Sequence, residues 1–150
     1  MVTTVRKNIF ETNSSSSHSI TIQDGDYWDT IEADEYGMIT LTGGQFGWEW
    51  VKYNDALTKA NYCAVNYIHN DDKLEMLKEV IMEYTGCKRL IIDISKDWED
   101  YNCGYIDHQS SDTVEEAFDS KDQLKTFIFN KSSWLYLGND NDDGPIGFYE

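Results

Sequence analysis

The patterning of the chain predicts an α+β fold. It is expected to be a single domain in which a mainly antiparallel sheet of about four to five strands packs with about three helices, two of them paired as an αα-hairpin. Three observations predict this. Short stretches of period-two apolar alternation recur along the chain. Between residues 54 and 86 apolar residues repeat twice at helical spacing instead, each time behind a residue suited to capping. A hydrophobic share of 40% and an aromatic share of 14% over 150 residues supply one core and argue against disorder.

Taken in order, Met1 to Val5 is β-branched enough for an edge strand. Ser14 to Ser17 reads as loop, because serine runs favour turns. Ser19 to Gln23 alternates Ile20 and Ile22 with polar residues and ends at the Asp24-Gly25 turn. Met38 to Thr42 is a second strand, closed by Gly43-Gly44, and the two strands are expected to pair as a hairpin with a long connection. Phe46-Gly47-Trp48-Glu49-Trp50 carries enough aromatic area to be core or a helix-packing corner.

Asn54 is placed to cap a helix running to about Ile68, with Leu57, Ala60, Ala64 and Tyr67 on one stripe. Asp72 and Glu75 have capping-box spacing for a second helix, whose apolar face is Leu74, Leu77, Ile81 and Tyr84 and whose stop is Gly86. Leu90 to Ile94 is apolar on both faces apart from Asp93, as a central strand would be. Tyr105 to Ser110 reads as a strand end. Thr113 with Glu116, and Ser120 with Gln123, offer further capping boxes, the latter leading a helix through Leu124, Phe127 and Ile128. Trp134 to Leu137 is the final strand.

Charge is the dominant global feature. Twelve basic residues face 28 acidic ones, a formal net charge of −16. Such a chain is repelled by nucleic acid and by anionic membranes, and its partners are cations or basic protein surfaces. No run of eighteen apolar residues and no basic-then-apolar leader is present, so no membrane span or secretory signal is expected. Cys63, Cys87 and Cys103 are odd in number without Cys-x-x-Cys spacing, which fits reduced thiols in a cytosolic protein. No cofactor is expected.

The acids are unevenly spread. Between Lys7 and Lys52 no basic residue interrupts a series that includes Asp24, Asp26, Asp29, Glu32, Asp34 and Glu35, and between Lys96 and Lys121 the same holds for a series opening with Asp97, Glu99 and Asp100. Tyr27, Trp28 and Tyr36 are interleaved with the first series. This stretch is either an exposed loop with ordinary aromatic anchors or a patch built to meet a basic protein, with aromatics for contact area and acids for steering. These acids together with Tyr27 and Trp28, eleven residues in all, are the candidate partner-binding set.

Two other constellations bear on chemistry. Arg6, Ser14, Ser17 and His18, with Asp107 and His108 further on, hold the residue types of an anion cradle with an acid or base beside it. The glycines and lysine of a phosphate loop are missing, however. Near the end, Asn139, Asn141 and Asp143 with Glu150 fall at the liganding offsets of a calcium loop. An asparagine in first place, a strand before the loop and no exiting helix favour an ordinary acidic turn.

Arg6 with Phe10-Glu11-Thr12-Asn13-Ser14-Ser15-Ser16-Ser17-His18-Ser19 resembles the N-terminus of a group of bacteriophage-encoded accessory proteins, mostly of unknown function. Phe46-Gly47-Trp48-Glu49, Tyr105 to Ser110, Phe127 to Asn130 and Leu137 to Asn141 are similar to the same group. The resemblance implies a protein made in an infected bacterial cytoplasm and brings no catalytic assignment. Origin and charge together lead to an expected counter-defence function: binding and inhibition of a host nucleic-acid-targeting enzyme, a CRISPR effector or a restriction enzyme, through a surface that mimics nucleic acid. A compact chain of this length has a radius of gyration of about 15 Å. Roughly 23 phosphates lie on duplex of matching span, on the order of 40 Å, so the net charge is of the right order. The alternative is a small enzyme acting on a phosphorylated or nucleotide substrate through the serine-histidine stretch.

Overall fold

The computed structural model describes residues 4–10, 16–46, 51–94, 105–106, 118 and 120–139. The fold is α+β. Strands β1 (Thr4–Phe10), β2 (Ser16–Gln23), β8 (Trp134–Asn139) and β5 (Val51–Tyr53) form an antiparallel sheet in that spatial order. β3 (Met38–Leu41) pairs in parallel with β6 (Arg89–Ile92), and β4 (Gln45–Phe46) in parallel with β7 (Tyr105–Ile106). The helices are α1 (Ala56–Asn66), α2 (Asp71–Thr85) and α3 (Lys121–Phe129).

The alternation of Ile20 and Ile22 decides the sheet's inner face, where both are buried with Leu135 and Leu137 of β8. α3 contacts β2 on one side and α1 and α2 on the other. It buries Leu124, Phe127 and Ile128 completely, so it is the middle of the core. Truncating a buried phenylalanine to alanine typically costs about 3–5 kcal/mol, and Phe127 and Phe129 are both fully enclosed.

Several expectations are corrected. β2 does not pair with β3. It lies between β1 and β8, because the long strand starting at Thr4 supplies the antiparallel partner and the C-terminal strand closes the other edge. The stretch from Leu90 is not central: among the described residues β6 pairs with β3 alone, and Ile91 and Ile92 are half-buried. The edge strand reaches Phe10 rather than ending at Val5, and Ser16 and Ser17 belong to a strand rather than a loop.

Helix ends follow cap chemistry one or two residues from the expected sites. Asp55, not Asn54, caps α1 by accepting from Thr58 N–H at 2.9 Å. Asn70, not Asp72, caps α2 through Lys73 N–H. Ser120 caps α3 through Gln123 N–H, as the spacing predicts. Gly86 ends α2 in the left-handed conformation at φ 71°, where a Cβ costs about 1–2 kcal/mol. α1 and α2 follow one another as a hairpin requires, but α2 packs more extensively on α3 than on α1. The 47–50 aromatic cluster and the Thr113 capping box lie outside the described residues.

One close approach tests this arrangement. A Cβ on Gly25 would sit 2.8 Å from Ser132 Cβ, inside the turn between α3 and β8. Gly25→Ala is therefore expected to lower stability by about 1–3 kcal/mol in urea unfolding, and adding Ser132→Gly should recover most of the loss.

Candidate functional site

The acidic stretch 24–36 leaves β2 and returns as β3, and hydrogen bonds fix both halves of it. The first half runs beside the turn 130–133. Lys131 N–H donates to Tyr27 O at 2.9 Å, Asp29 N–H to Phe129 O at 2.6 Å, and Asn130 Nδ2 to Gly25 O at 2.9 Å. Trp28 and Asn130 form an antiparallel bridge. Ser133 Oγ accepts from Gln23 N–H and donates to Gln23 O. The second half closes on Asp34, whose Oδ1 accepts from the N–H groups of Tyr36 and Met38, both at 2.9 Å. Gly37 completes that turn with φ 79° and donates to Asp34 O.

On this frame Asp24, Asp26, Glu32, Asp34 and Glu35 are exposed. Tyr27 is 76% exposed, Tyr36 69% and Trp28 40%. Large aromatics this open are the unusual observation, since exposed acids alone are ordinary. Trp28 is partly engaged internally: it stacks on Tyr84, which stacks on Phe129, and Lys125 Nζ lies 5.7 Å from its ring centre. Lys131 and Lys88 border the stretch near Tyr27 and Gly37 respectively.

Asp29 differs from its neighbours. Its Oδ2 accepts from Ala56 N–H at 2.9 Å and its Oδ1 from Thr30 N–H, so it anchors the loop to the first turn of α1. Partial burial works to raise its pKa. The two N–H donors, helped by the charges of Lys131 and Lys59, outweigh it and hold the carboxyl below the usual range.

Lys59 is the residue that the sequence reading missed. It is fully buried in α1, and its Nζ donates to Asn130 O at 2.9 Å and Ser133 O at 3.0 Å, 5.6 Å from the Phe127 ring centre. Burial pushes the ammonium down from 10.5 to about 7, against the opposing pull of Asp55 and Asp29. The available signal was position: Lys59 lies beside Ala60, three residues after Ala56 and four before Cys63, all buried.

The other candidates are not brought together among the described residues. Arg6 pairs with Thr21 and His18 with Ile9 and Leu137. The two are thus three register steps apart on the β1–β2 ladder, about 10 Å along the strand. Ser17 lies opposite Phe10 and Gly138 in β2, while Ser14, Asp107 and His108 lie outside the described residues, as do Asp97, Glu99 and Asp100. Asn139 is the last residue of β8, paired with Ser16, rather than the first of a loop; Asn141, Asp143 and Glu150 lie beyond the described residues. Among the described residues no three His, Cys, Asp or Glu side chains are grouped to hold a metal, and no helix is long and apolar enough to cross a membrane.

Comparison with family models, curated proteins and solved structures gives no match.

The buried lysine sets a pH dependence. With its folded pKa near 7 and its ordinary value 10.5, the unfolded chain holds more protons across that window, so stability rises with pH there. Burial pushes Cys63 and Tyr62 above their ordinary 9.0 and 10.0, and these groups withdraw stability as pH climbs past those values. Urea midpoints are expected to rise from pH 7 to about 9, by about 2–3 kcal/mol, and then to fall. Lys59→Met should abolish the rise and leave the fall.

Proposed function

We propose that this protein is a binding inhibitor that occupies the basic, nucleic-acid-binding surface of a host enzyme, presenting the stretch 24–36 in place of nucleic acid. The observation that carries the reading is the stretch itself: five exposed acids, no basic residue and three open aromatics, held by backbone and side-chain hydrogen bonds. A charged surface already fixed in shape loses less conformational entropy on binding than a mobile one. The acids steer the encounter and set its salt dependence, while Tyr27, Tyr36 and the open side of Trp28 supply contact area. Asp29 serves the frame rather than the contact.

The bacteriophage resemblance adds the setting: an infected bacterial cytoplasm, where CRISPR effectors and restriction enzymes hold nucleic acid in positively charged channels. The resemblance and the charge support the same partner chemistry. Direct binding to nucleic acid is disfavoured by a net charge of −16.

The test is inhibition of a panel of such enzymes with duplex DNA as competitor. Wild-type inhibition is expected to weaken steeply between 50 and 200 mM salt, an interval over which charge-dominated complexes lose about 10³-fold or more. The triple variant Asp24→Asn, Asp26→Asn, Glu35→Gln should fold normally, because all three side chains are exposed, yet inhibit at least tenfold less and with a shallower salt slope. Inhibition insensitive to salt and to these substitutions overturns the reading.

A further inference from the structure

Where residues 30–34 pass β3 and the start of α1, they leave an open groove of about 520 Å³. Glu32 and Asp34 line one side, Met38 and Thr40 of β3 another, Leu57 of α1 a third, and the buried Ile39 lies at the base. Among the described residues that line it there is no lysine, arginine or histidine.

Two features set this groove apart from the rest of the acidic surface. The first is Leu57, 47% exposed although it is the largest aliphatic residue of α1. Leaving that much leucine in water forgoes part of the about 1.5–3 kcal/mol that full burial contributes. The second is Asp34. Its Oδ1 is committed to the Tyr36 and Met38 N–H groups, which fixes the carboxylate plane, and its Oδ2 meets no donor among the described residues. A carboxylate immobilised by its own turn is prepared for an outside cation at low entropic cost.

We propose that the groove takes an arginine-bearing extended segment of the partner protein. The guanidinium is held by Asp34 and Glu32, and its stem, with a neighbouring apolar side chain, lies on Met38 and Leu57. The proposal rests on the inhibitor reading above and gives it a point of anchorage. Charge selects a cation. The apolar wall selects one on an aliphatic stem, which a bare metal ion or small amine lacks. Two carboxylates from positions two residues apart suit the planar five-donor fork of arginine better than the compact ammonium of lysine. A cavity of this size falls within the range of ligand clefts, about 300–1,000 Å³.

The probe is an end-blocked peptide, Ser-Gly-Leu-Arg-Leu-Gly-Ser, titrated into the full-length ¹⁵N-labelled protein, alongside its lysine and citrulline analogues. Shifts are expected at the amides of Glu32, Thr40 and Leu57, with the arginine peptide binding about tenfold more tightly than the citrulline one. Asp34→Asn retains the Oδ1 acceptor for both turn bonds and should lose a similar factor, and Leu57→Ser should weaken all three peptides together. Absence of binding, equal affinity for the citrulline analogue, shifts gathered at Asp24 and Asp26, or an unaffected Asp34→Asn each overturn the proposal. Because Asp24, Asp26 and Glu35 do not line the groove, the triple variant of those acids reports on the inhibitor reading separately. A failed peptide titration with salt-dependent inhibition intact removes only the anchor.

Discussion

The ammonium of Lys59 inside the core is the constraint on which the rest of this structure depends. It takes the carbonyls of Asn130 and Ser133 at once, so the turn joining α3 to β8 is clamped against α1. A buried polar group left without its partner costs about 1–3 kcal/mol; without the lysine Asn130 O would keep only the Ser133 N–H, and Ser133 O would lose the ammonium that donates to it. Burial of the ammonium works against this clamp, since desolvation disfavours the charged form and holds its pKa below the ordinary lysine range.

What the clamp holds is more than a turn. Asn130 reaches Gly25, Ser133 reaches Gln23 through both N–H and C=O, Lys131 reaches Tyr27 and Phe129 reaches Asp29. The stretch that carries the exposed acids is therefore laid along the turn almost as an added strand, and Asp29 ties its far side to the start of α1. Core and surface are joined by one continuous set of hydrogen bonds. This gives a physical route by which a loop rich in mutually repelling carboxylates keeps a defined shape: repulsion between exposed charges is screened to about 1 kcal/mol or less per pair in water, while several backbone hydrogen bonds act together against it.

The sheet shows a related dependence on distant sequence. β2 gains its two neighbours from opposite ends of the chain, Thr4–Phe10 and Trp134–Asn139. The helices between them are inserted so that α3 fills the space over Ile20 and Leu135. The acidic stretch and the groove beside Leu57 are thus placed by pairings more than a hundred residues apart in sequence, such as Gln23 with Ser133.

Local pattern determined the elements and their chemistry. Period-two alternation at Ile20 and Ile22 gave a strand that sends both isoleucines into the core, helical spacing at Leu74, Leu77 and Ile81 gave a helix with a buried stripe, Ser120 and Gly86 marked ends, and the run without cations marked the acidic surface. All of these are properties of a few neighbouring residues. Partners were not legible: which strand β2 pairs with is decided by long-range burial, and nothing in Met38–Leu41 states that its neighbour is parallel. α1 shows the limit most plainly. Leu57 and Lys59 stand about 160° apart around the helix, and hydrophobicity alone would bury the leucine and expose the lysine. The fold does the reverse, because two carbonyls of the α3–β8 turn await a donor on one side of α1 and an open groove lies on the other.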